Sequence, residues 1–260
     1  MTKTALITGA ASGLGYELTL LLAKDAYKLI LVDINADSLA KVKTELERDF
    51  KVEVITLAKD LSLPNIAQEI MDDIHNTPID VLVNNAGFGL FGNFYETNWQ
   101  RESAMLHVHV MTTTHLTKLV LKGMVARNSG KILNMSSLAA FQPGPLMSIY
   151  YASKGYMLSF SEAIACELKD TGVTVTALCP GPTKTAFQET VSENAKENKI
   201  TFNMASAKEV AAYGYKSMLK GKPVAIPGVF NKFLASLPRI LPRKVAASIV
   251  RKIQEKNRED

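Results

Sequence analysis

Short apolar runs alternate along this chain with longer segments in which apolar residues recur at helical spacing. Thr4–Thr8 and Lys28–Asp33 are runs of the first kind, and Leu14–Lys24 is a segment of the second. Apolar residues three or four positions apart are typical of one helix face, whereas an unbroken apolar run is typical of a strand buried on both sides. The alternation predicts a single α/β domain, in which a doubly wound parallel sheet carries helices on both of its faces.

The pattern continues to about residue 226. Further helices are expected at 35–49, Pro64–His75, Trp99–Ala126 and Tyr150–Lys169, and further strands at Lys51–Ala58, Asp80–Asn84, Lys131–Met135, Val173–Leu178 and Val224–Ile226. We expect the main domain to span residues 1–222 and to include a substrate lid near 185–205. Residues 223–260 form a basic extension, in which a final helix is expected to start near Pro242.

Composition excludes several classes of protein. With 47% hydrophobic and 21% charged residues, the chain can form a large core and is not expected to be disordered. Its two cysteines, Cys166 and Cys179, form no CxxC pair, and its histidines form no HExxH motif, so neither a disulfide framework nor a metal site is expected. No apolar run resembles a signal peptide or reaches the roughly 18 residues of a membrane span, so a cytoplasmic location is expected.

The net charge of +5 is concentrated at the C-terminal end of the chain. Residues 1–215 carry a net charge of −3, and residues 216–260 carry a net charge of +8. Nucleic-acid binding would require basic residues interleaved with stacking aromatics on one face. Because the basic segment lacks that pattern, no nucleic-acid partner is expected.

A glycine-rich turn follows the first strand. Gly9, Gly13 and Gly15 lie between Thr8 and the helix that begins near Leu14. Glycines at such a turn permit a tight backbone, let it approach a phosphate, and allow the helix to pack closely on the strand. The N-terminus of that helix presents its N–H groups to a pyrophosphate. The turn therefore predicts a dinucleotide site, although an ordinary tight turn would also explain the glycines.

Polar residues follow the next strands at the same edge of the expected sheet. Asp33 lies 24 residues after Gly9, and its carboxylate could accept hydrogen bonds from both ribose hydroxyls of an adenosine. It would repel a 2′-phosphate, which favours NAD(H) over NADP(H). The alternatives are a solvated loop aspartate and a cap for the following helix. Asp60 and Leu61 could contact the adenine or close a turn. The chain could pass close beneath the cofactor at Asn85, Ala86 and Gly87, or these residues could form a simple turn.

Tyr150 and Lys154 are four residues apart, so they share one face of the expected helix. A nearby ammonium group favours the phenolate and would lower the pKa of Tyr150 from its usual value near 10. Such a tyrosine can exchange a proton with an alcohol or carbonyl oxygen. Ser137, after the fifth strand, could hydrogen-bond the same oxygen. In isolation, the three residues could equally be a surface pair and a turn serine.

Taken together, these motifs resemble those of the short-chain dehydrogenases/reductases. The matching segments are TGAASGLG at 8–15, Asp60, NNAG at 84–87, Ser137, YYASK at 150–154 and PGPTKT at 180–185, in the order and spacing of that family. The resemblance covers about residues 3–215. It implies a Rossmann-type fold and hydride transfer between a nicotinamide dinucleotide and an alcohol or carbonyl compound.

The resemblance also implies roles for single residues. Tyr150 would be the general acid/base, Lys154 would tune it and hold the ribose, and Ser137 would orient the substrate oxygen. Thr185 matches the position that contacts the nicotinamide carboxamide. The residues expected at the cofactor are Gly9, Ser12, Gly13, Leu14, Gly15, Asp33, Asp60, Leu61, Asn85, Ala86, Gly87, Tyr150, Lys154, Pro180, Gly181, Thr183 and Thr185.

One position departs from the family pattern. His109 replaces an asparagine whose backbone carbonyl binds a relay water in many members of the family. His109 can serve as a fourth catalytic residue if only the backbone matters, and proton relay is in doubt if the asparagine side chain matters. His107 lies two residues earlier, so a helix irregularity could change which histidine faces the site. A pair of partly buried structural histidines is the alternative.

The segments expected around the substrate are rich in apolar residues. They are Phe88–Phe94, Leu138–Ile149 and about Thr185–Met204, and they contain no cluster of arginine and lysine that would bind a phosphate or carboxylate. We therefore expect a largely apolar small-molecule alcohol or ketone as the substrate.

The extension after residue 222 has two interpretations. Val245, Ile249 and Ile253 are spaced by four residues, with Arg243 and Lys244 nearby. This pattern predicts either a basic amphipathic helix that makes peripheral contact with an anionic membrane, or a helix packed on the body or on a partner subunit.

Three functions are consistent with the sequence. The leading prediction is an enzyme, an NAD(H)-dependent alcohol dehydrogenase or carbonyl reductase. The alternatives are an NADPH-dependent carbonyl reductase, and a sensor or scaffold protein that binds the dinucleotide without turnover. The presence of Ser137, Tyr150 and Lys154 argues against the last of these. The resemblance also implies a homodimer or homotetramer formed through the helices near 99–126 and 150–169.

Overall fold

A computed structural model describes residues 2–184 and 204–256. The strands of the main sheet are β1 Thr4–Thr8, β2 Lys28–Asp33, β3 Val54–Ala58, β4 Val81–Asn84, β5 Gly130–Met135, β6 Val173–Leu178 and β9 Val224–Ala225. All are parallel, in the order β3-β2-β1-β4-β5-β6-β9. A small separate pair joins β7 Thr183–Lys184 to β8 Ala205–Ser206.

Helices connect the strands and cover the sheet. They are α1 Gly13–Lys24, α2 Ala36–Phe50, α3 Ile66–Asp73, α4 Trp99–Leu106, α5 Thr113–Ala126, α6 Ser148–Glu167, α7 Ala207–Leu219, α8 Val229–Ser236 and α9 Arg243–Lys256. Shorter turns are the π-helical turn His107–Thr112 and the 3₁₀ turns Leu138–Phe141 and Leu237–Arg239. Among these described helices, none combines the length and apolar character needed to cross a bilayer.

The sheet separates two apolar cores. In β1, Ile7 belongs to the core under α1, α2 and α7, whereas Leu6 belongs to the core under α3, α5 and α6. Successive side chains of a strand point to opposite faces, so both faces of β1 are buried. This double burial explains the unbroken apolar runs and confirms the predicted doubly wound parallel sheet with helices on both faces.

Some expected boundaries are wrong for local reasons. The strand expected from Lys51 begins at Val54, because Lys51 ends α2 in a left-handed conformation with φ of 58°. The helix expected from Pro64 begins at Ile66, after Asn65 with φ of 62°.

The single long helix expected over Trp99–Ala126 is also wrong. The π-helical turn His107–Thr112 separates α4 from α5, and the Thr113 hydroxyl donates a hydrogen bond to the Val108 carbonyl five residues back, at 2.9 Å. The sequence allowed for a helix irregularity near His107 and His109, and this turn is that irregularity.

The last sheet strand lies beyond the expected domain boundary at residue 222. Val224–Ala225 pairs with Ala177 and Leu178 of β6. The described chain therefore leaves the sheet only after Ala225, and the extension that follows contains α8 and α9.

Candidate active site

Close backbone contacts shape the glycine turn between β1 and α1. Gly9 and Gly13 have φ of 64° and 55°, in the left-handed region that favours glycine. A Cβ on Gly15 would collide with the Gly9 carbonyl oxygen, and one on Gly9 would lie 2.8 Å from the Ala86 Cα. All three glycines are therefore required by this backbone path.

Thr8 and Asn85 fix this turn against the loop after β4. The Thr8 hydroxyl accepts the N–H groups of Asn85 and Ala86, both at 3.1 Å. The Asn85 side-chain amide donates to the carbonyls of Thr8 and Gly9, at 3.1 and 2.9 Å. Asn85 therefore shapes the turn through its side chain. The sequence reasoning missed Thr8, although its place directly before the glycines could have pointed to it.

Asp33 lies at the end of β2 beside the turn. Its two carboxylate oxygens accept the N–H groups of Ala11 at 3.0 Å and Asn35 at 3.1 Å. The capping role considered for Asp33 is wrong, because Asn35 caps α2 by accepting the N–H of Ser38 at 2.9 Å.

The residues after β3 are engaged in local contacts. Asp60 accepts hydrogen bonds from the backbone N–H and the hydroxyl of Ser62, at 2.9 and 2.7 Å, so its carboxylate closes a turn. Leu61 is buried, and its carbonyl accepts the Thr112 hydroxyl at 2.8 Å. Contact of either residue with an adenine stays a prediction.

The turn region fits a dinucleotide. Ser12 precedes α1 but its side chain caps none of the first N–H groups of the helix, which a pyrophosphate could therefore contact. Leu14 is partly buried against the core. On this arrangement the turn and α1 would hold the pyrophosphate, and Asp33 would hold the adenosine ribose.

The segment after β6 lies at the same edge of the sheet. The Pro180 carbonyl accepts the N–H of Leu138 at 2.9 Å, and the Thr183 hydroxyl donates to the Gly181 carbonyl at 2.9 Å. These contacts tie the segment to the turn that follows Ser137. Thr185 and nearly all of the expected lid lie outside the described residues.

Tyr150, Lys154 and Ser137 meet at the carboxyl end of β5. The Lys154 ammonium lies 5.6 Å from the Tyr150 ring centre and donates to the Met135 carbonyl at 2.9 Å. Ser137 hydrogen-bonds the Tyr150 side chain and accepts the Ala139 N–H at 3.1 Å. The structure therefore brings these three expected catalytic residues together.

Burial controls how Tyr150 and Lys154 ionise. It raises the pKa of Tyr150 well above its usual value, and the Ser137 hydrogen bond opposes that shift only in part. Burial also lowers the pKa of Lys154 to about 8. The expected lowering of the Tyr150 pKa is wrong here, because desolvation of the buried phenol is the largest influence on it. Tyr150 is therefore protonated at neutral pH.

His109 lies in the π-helical turn, buried between the loop after β4 and α6. Its Nε2 accepts the Phe88 N–H at 3.2 Å, so Nδ1 carries the proton and donates to the Ser153 hydroxyl at 2.9 Å. Ser153 in turn donates to the Tyr150 carbonyl at 2.8 Å. Burial and the Lys154 charge hold the pKa of His109 well below its usual value, so the ring is neutral.

These contacts make His109 a bridge between two parts of the site. A Cβ on Gly87 would lie 2.5 Å from its Nε2, so the ring and the loop pack too closely for any side chain there. Both ring nitrogens are engaged, whereas His107 is only partly buried. The relay role considered for His109 stays a prediction. Ser153 was missed, although it lies within the YYASK motif.

A buried polar network behind the site was also missed. Asn84 donates to Asn134 at 2.8 Å and to Thr117 at 2.9 Å, and Asn134 donates to Ser161 at 2.9 Å. These bonds anchor α5 and α6 to the ends of β4 and β5. Polar residues in otherwise apolar strands were the available signal. Within residues 2–184 and 204–256, no group of three or more His, Cys, Asp or Glu could hold a metal ion.

Two of the expected substrate segments contact each other. The Gly92 N–H donates to the Leu146 carbonyl at 2.9 Å, and Leu146 has a φ of 65°. Phe88 packs under the Arg101 guanidinium, 5.6 Å from its ring centre. The two segments thus contact each other, and Phe88 packs against the His109 ring, which in turn packs against Tyr150.

Comparisons with known proteins agree with this fold. The family model for short chain dehydrogenases matches residues 3–196. The mouse very-long-chain 3-oxoacyl-CoA reductase is 30% identical over 251 residues, which are 95% of this chain and 78% of that protein. The chain therefore belongs to the short-chain dehydrogenase/reductase family, whose members are oxidoreductases.

Solved structures show the same fold. A short-chain dehydrogenase/reductase from Burkholderia phymatum in complex with NAD has a TM-score of 0.82 and 25% identity, covering 92% of this chain and 93% of that one. A short-chain dehydrogenase from Sphingobium yanoikuyae in complex with NADPH has a TM-score of 0.80 and 24% identity, covering 92% and 94%. Structures of this fold thus occur with either dinucleotide.

Proposed function

We propose that this protein reduces an apolar ketone to an alcohol, with Tyr150 as the proton donor to the carbonyl oxygen. The observation that carries the proposal is the meeting of Tyr150, Ser137 and Lys154 in one site, with Ser137 hydrogen-bonded to the Tyr150 side chain and the Lys154 ammonium 5.6 Å from its ring centre. A proton donor must hold its proton at the working pH, and a phenol does so at neutral pH. A bound nicotinamide dinucleotide would supply the hydride; the reverse oxidation uses the same residues.

Ser137 and Lys154 have distinct roles in this proposal. The Ser137 hydroxyl, already hydrogen-bonded to Tyr150, would hold the same substrate oxygen. The Lys154 ammonium would contact the ribose and would stabilise the negative charge that develops on the Tyr150 oxygen during proton transfer. Both groups are fixed by backbone contacts, Lys154 through Met135 and Ser137 through Ala139, so little reorganisation is needed.

The apolar character of the substrate is supported by the surroundings of Tyr150. Phe88, Leu90 and Met147 belong to the two segments beside the site, and the mouse relative acts on a very-long-chain 3-oxoacyl-CoA. A panel of apolar ketones, sugar phosphates and keto acids tests this, with turnover read at 340 nm. Turnover of only the charged compounds would overturn the apolar assignment.

Tyr150→Phe separates the enzyme from a dinucleotide-binding sensor. We expect the variant to lose turnover by about 10²- to 10⁴-fold, because its proton donor is gone, and to bind the dinucleotide as before. Retained turnover would contradict the role of Tyr150. A wild-type protein that binds the dinucleotide but turns over no member of the panel would favour the sensor.

We also propose NAD(H) as the preferred cofactor. Lys59 follows β3 beside Asp33, but its ammonium pairs with Asp73 at 2.8 Å and Glu69 at 3.7 Å instead of lying free for a 2′-phosphate. The Asp33 carboxylate would accept the ribose hydroxyls and repel that phosphate.

Calorimetric titration with NADH and NADPH tests this preference. We expect NADH to bind more tightly, and Asp33→Asn to weaken NADH binding by roughly 10-fold or more, since hydrogen bonds to a charged group are lost. Lys59→Gln is the matched control and should leave the preference unchanged. Tighter binding of NADPH to the wild type would favour the NADPH-dependent reductase.

A further inference from the structure

Helix α8 turns its largest apolar side chains to solvent. Val229, Phe230 and Phe233 are 83%, 60% and 60% exposed, and Leu234 is 36% exposed, whereas the small Ala235 is 5% exposed. At about 100° per residue, the four exposed residues share one side of the helix and Ala235 lies opposite. A surface helix normally buries its large apolar residues. These four residues are called the α8 apolar face below.

The orientation of α8 is fixed by the body of the protein. The helix packs on the turn Leu138–Phe141 that follows Ser137. The Asn231 side chain donates to the Pro227 carbonyl at 2.7 Å, and a Cβ on Gly181 would lie 3.1 Å from its amide. The helix is therefore held on the side opposite its apolar face, next to the candidate active site.

Exposed apolar residues continue beyond α8. Ile240 is 83% exposed, and Val245, Ile249 and Ile253 of α9 are 44%, 43% and 51% exposed. Helix α9 is docked on α6, where Gln254 donates to the Tyr151 hydroxyl at 2.8 Å. Both C-terminal helices are thus held against the main domain on one side and expose apolar side chains to solvent on the other.

The charge around this apolar material is strongly positive. Between residues 227 and 256 the sequence has seven Lys and Arg and a single acid, Glu255, which pairs with Arg251 at 2.7 Å. Lys232 lies on α8 itself, and Arg243 and Lys244 begin α9; all three are exposed. Exposed aromatic residues beside exposed basic residues are typical of segments that lie in the interface of an anionic bilayer.

We propose that the α8 apolar face docks on an anionic lipid membrane. Phe230 and Phe233 enter the headgroup region, while Lys232 and the basic start of α9 contact lipid phosphates. A second copy of this chain is a poorer occupant, because it would bring two segments of like charge together. Docking in this way places the Leu138–Phe141 turn, and the substrate side of the site, near the bilayer. The inference does not depend on which substrate is reduced.

Flotation of the purified full-length protein with lipid vesicles tests the proposal. One set of vesicles is pure phosphatidylcholine, and the other contains phosphatidylserine as well. We expect binding to the second set, weakened by added salt because part of the attraction is electrostatic. Phe230→Ser with Phe233→Ser should lower binding by about tenfold or more, since two buried aromatic contacts are lost.

A matched double variant controls for loss of exposed apolar surface in general. Val125 and Leu219 are 42% and 41% exposed and lie at the ends of α5 and α7, at the opposite edge of the sheet. Val125→Ser with Leu219→Ser should bind vesicles as the wild type does. Circular dichroism of both double variants establishes that they are folded.

Three results would overturn the proposal. The first is that the wild type does not bind the phosphatidylserine vesicles. The second is that the Phe230 and Phe233 variant binds them as well as the wild type does. The third is that the control variant loses as much binding as the Phe230 and Phe233 variant. Light scattering adds a fourth. If the wild type is a dimer that the Phe230 and Phe233 substitutions dissociate, and no vesicle binding is seen, the α8 apolar face is a subunit interface instead.

Discussion

Lys154 carries a charge in a fully enclosed position, and that charge has a cost in stability. Its folded-state pKa is about 8, against 10.5 for an unperturbed lysine. Below pH 8 the group is charged in the folded and the unfolded state, so folding must desolvate it. Between pH 8 and 10.5 the folded protein releases the proton while the unfolded chain keeps it, so stability rises with pH. The residue that the site requires thus opposes folding at neutral pH.

Lys154→Met removes this charge while preserving most of the side-chain volume. At pH 7 we expect the variant to be inactive yet more stable than the wild type by about 1–3 kcal/mol, after subtracting the lost hydrogen bond to Met135. The difference should shrink as the pH rises through 8 and change sign by about pH 10.5, where only the lost hydrogen bond to Met135 separates the two proteins. Urea unfolding at several pH values measures it. Lys118→Met, at an exposed position on α5, should show no such trend. A variant that is less stable at every pH would contradict the account.

Single residues also show where sequence reasoning stops. The spacing of Tyr150 and Lys154 placed both on one helix face correctly, because that depends only on helix geometry. The direction of the Tyr150 pKa shift could not be predicted, because it depends on burial by residues distant in the chain. Likewise, Asp33 and Asp60 both lie at or after the end of a strand, and the sequence does not distinguish them. Their hydrogen-bond partners do: Asp33 bonds the glycine turn, whereas Asp60 closes a local turn.

At the scale of elements, the strands and the functional edge of the sheet were predictable, whereas the π-helical turn was not. Apolar runs and helical periodicity are local, so they located β1, β2 and β6 at their observed bounds. The π-helical turn accompanies contacts between His109 and Ser153, 44 residues away. Such turns are frequent at functional sites. No local pattern in residues 107–112 distinguishes that turn from an ordinary helix.

The contact between His109 and Gly87 gives the element-scale prediction. Gly87→Ala places a methyl group against the His109 ring, and we expect a loss of about 1–3 kcal/mol in the free energy of unfolding. His109→Ser makes room for that methyl group, so Gly87→Ala should cost less in the His109→Ser background. A double-mutant cycle by urea unfolding measures this coupling. Additive costs would contradict a direct contact. Gly155→Ala, which meets only the Ala140 carbonyl oxygen at 3.6 Å, should be additive with His109→Ser.

At the scale of the whole molecule, two separate exposed surfaces are candidates for contact with a membrane or with another copy of the chain. The α8 apolar face lies beside the candidate site and is surrounded by basic residues. A second surface lies where α5 meets α6, joined by the hydrogen bond between Thr114 and Tyr156 at 2.9 Å. Tyr156 stacks on Phe160 there, with ring centres 5.8 Å apart. Met111, in the adjoining π-helical turn, is 60% exposed.

The second surface is where we expect copies of the chain to associate, because it carries exposed apolar residues without the basic excess of the C-terminal segment. Met111→Glu would place a carboxylate in that interface, so we expect it to weaken association by about a hundredfold or more. Light scattering over a range of protein concentrations measures the change. The Phe230→Ser and Phe233→Ser pair should leave association intact, because α8 is proposed to contact lipid. A monomeric wild type would contradict association through this surface, and association that resists Met111→Glu but is lost with the α8 pair would reverse the two assignments.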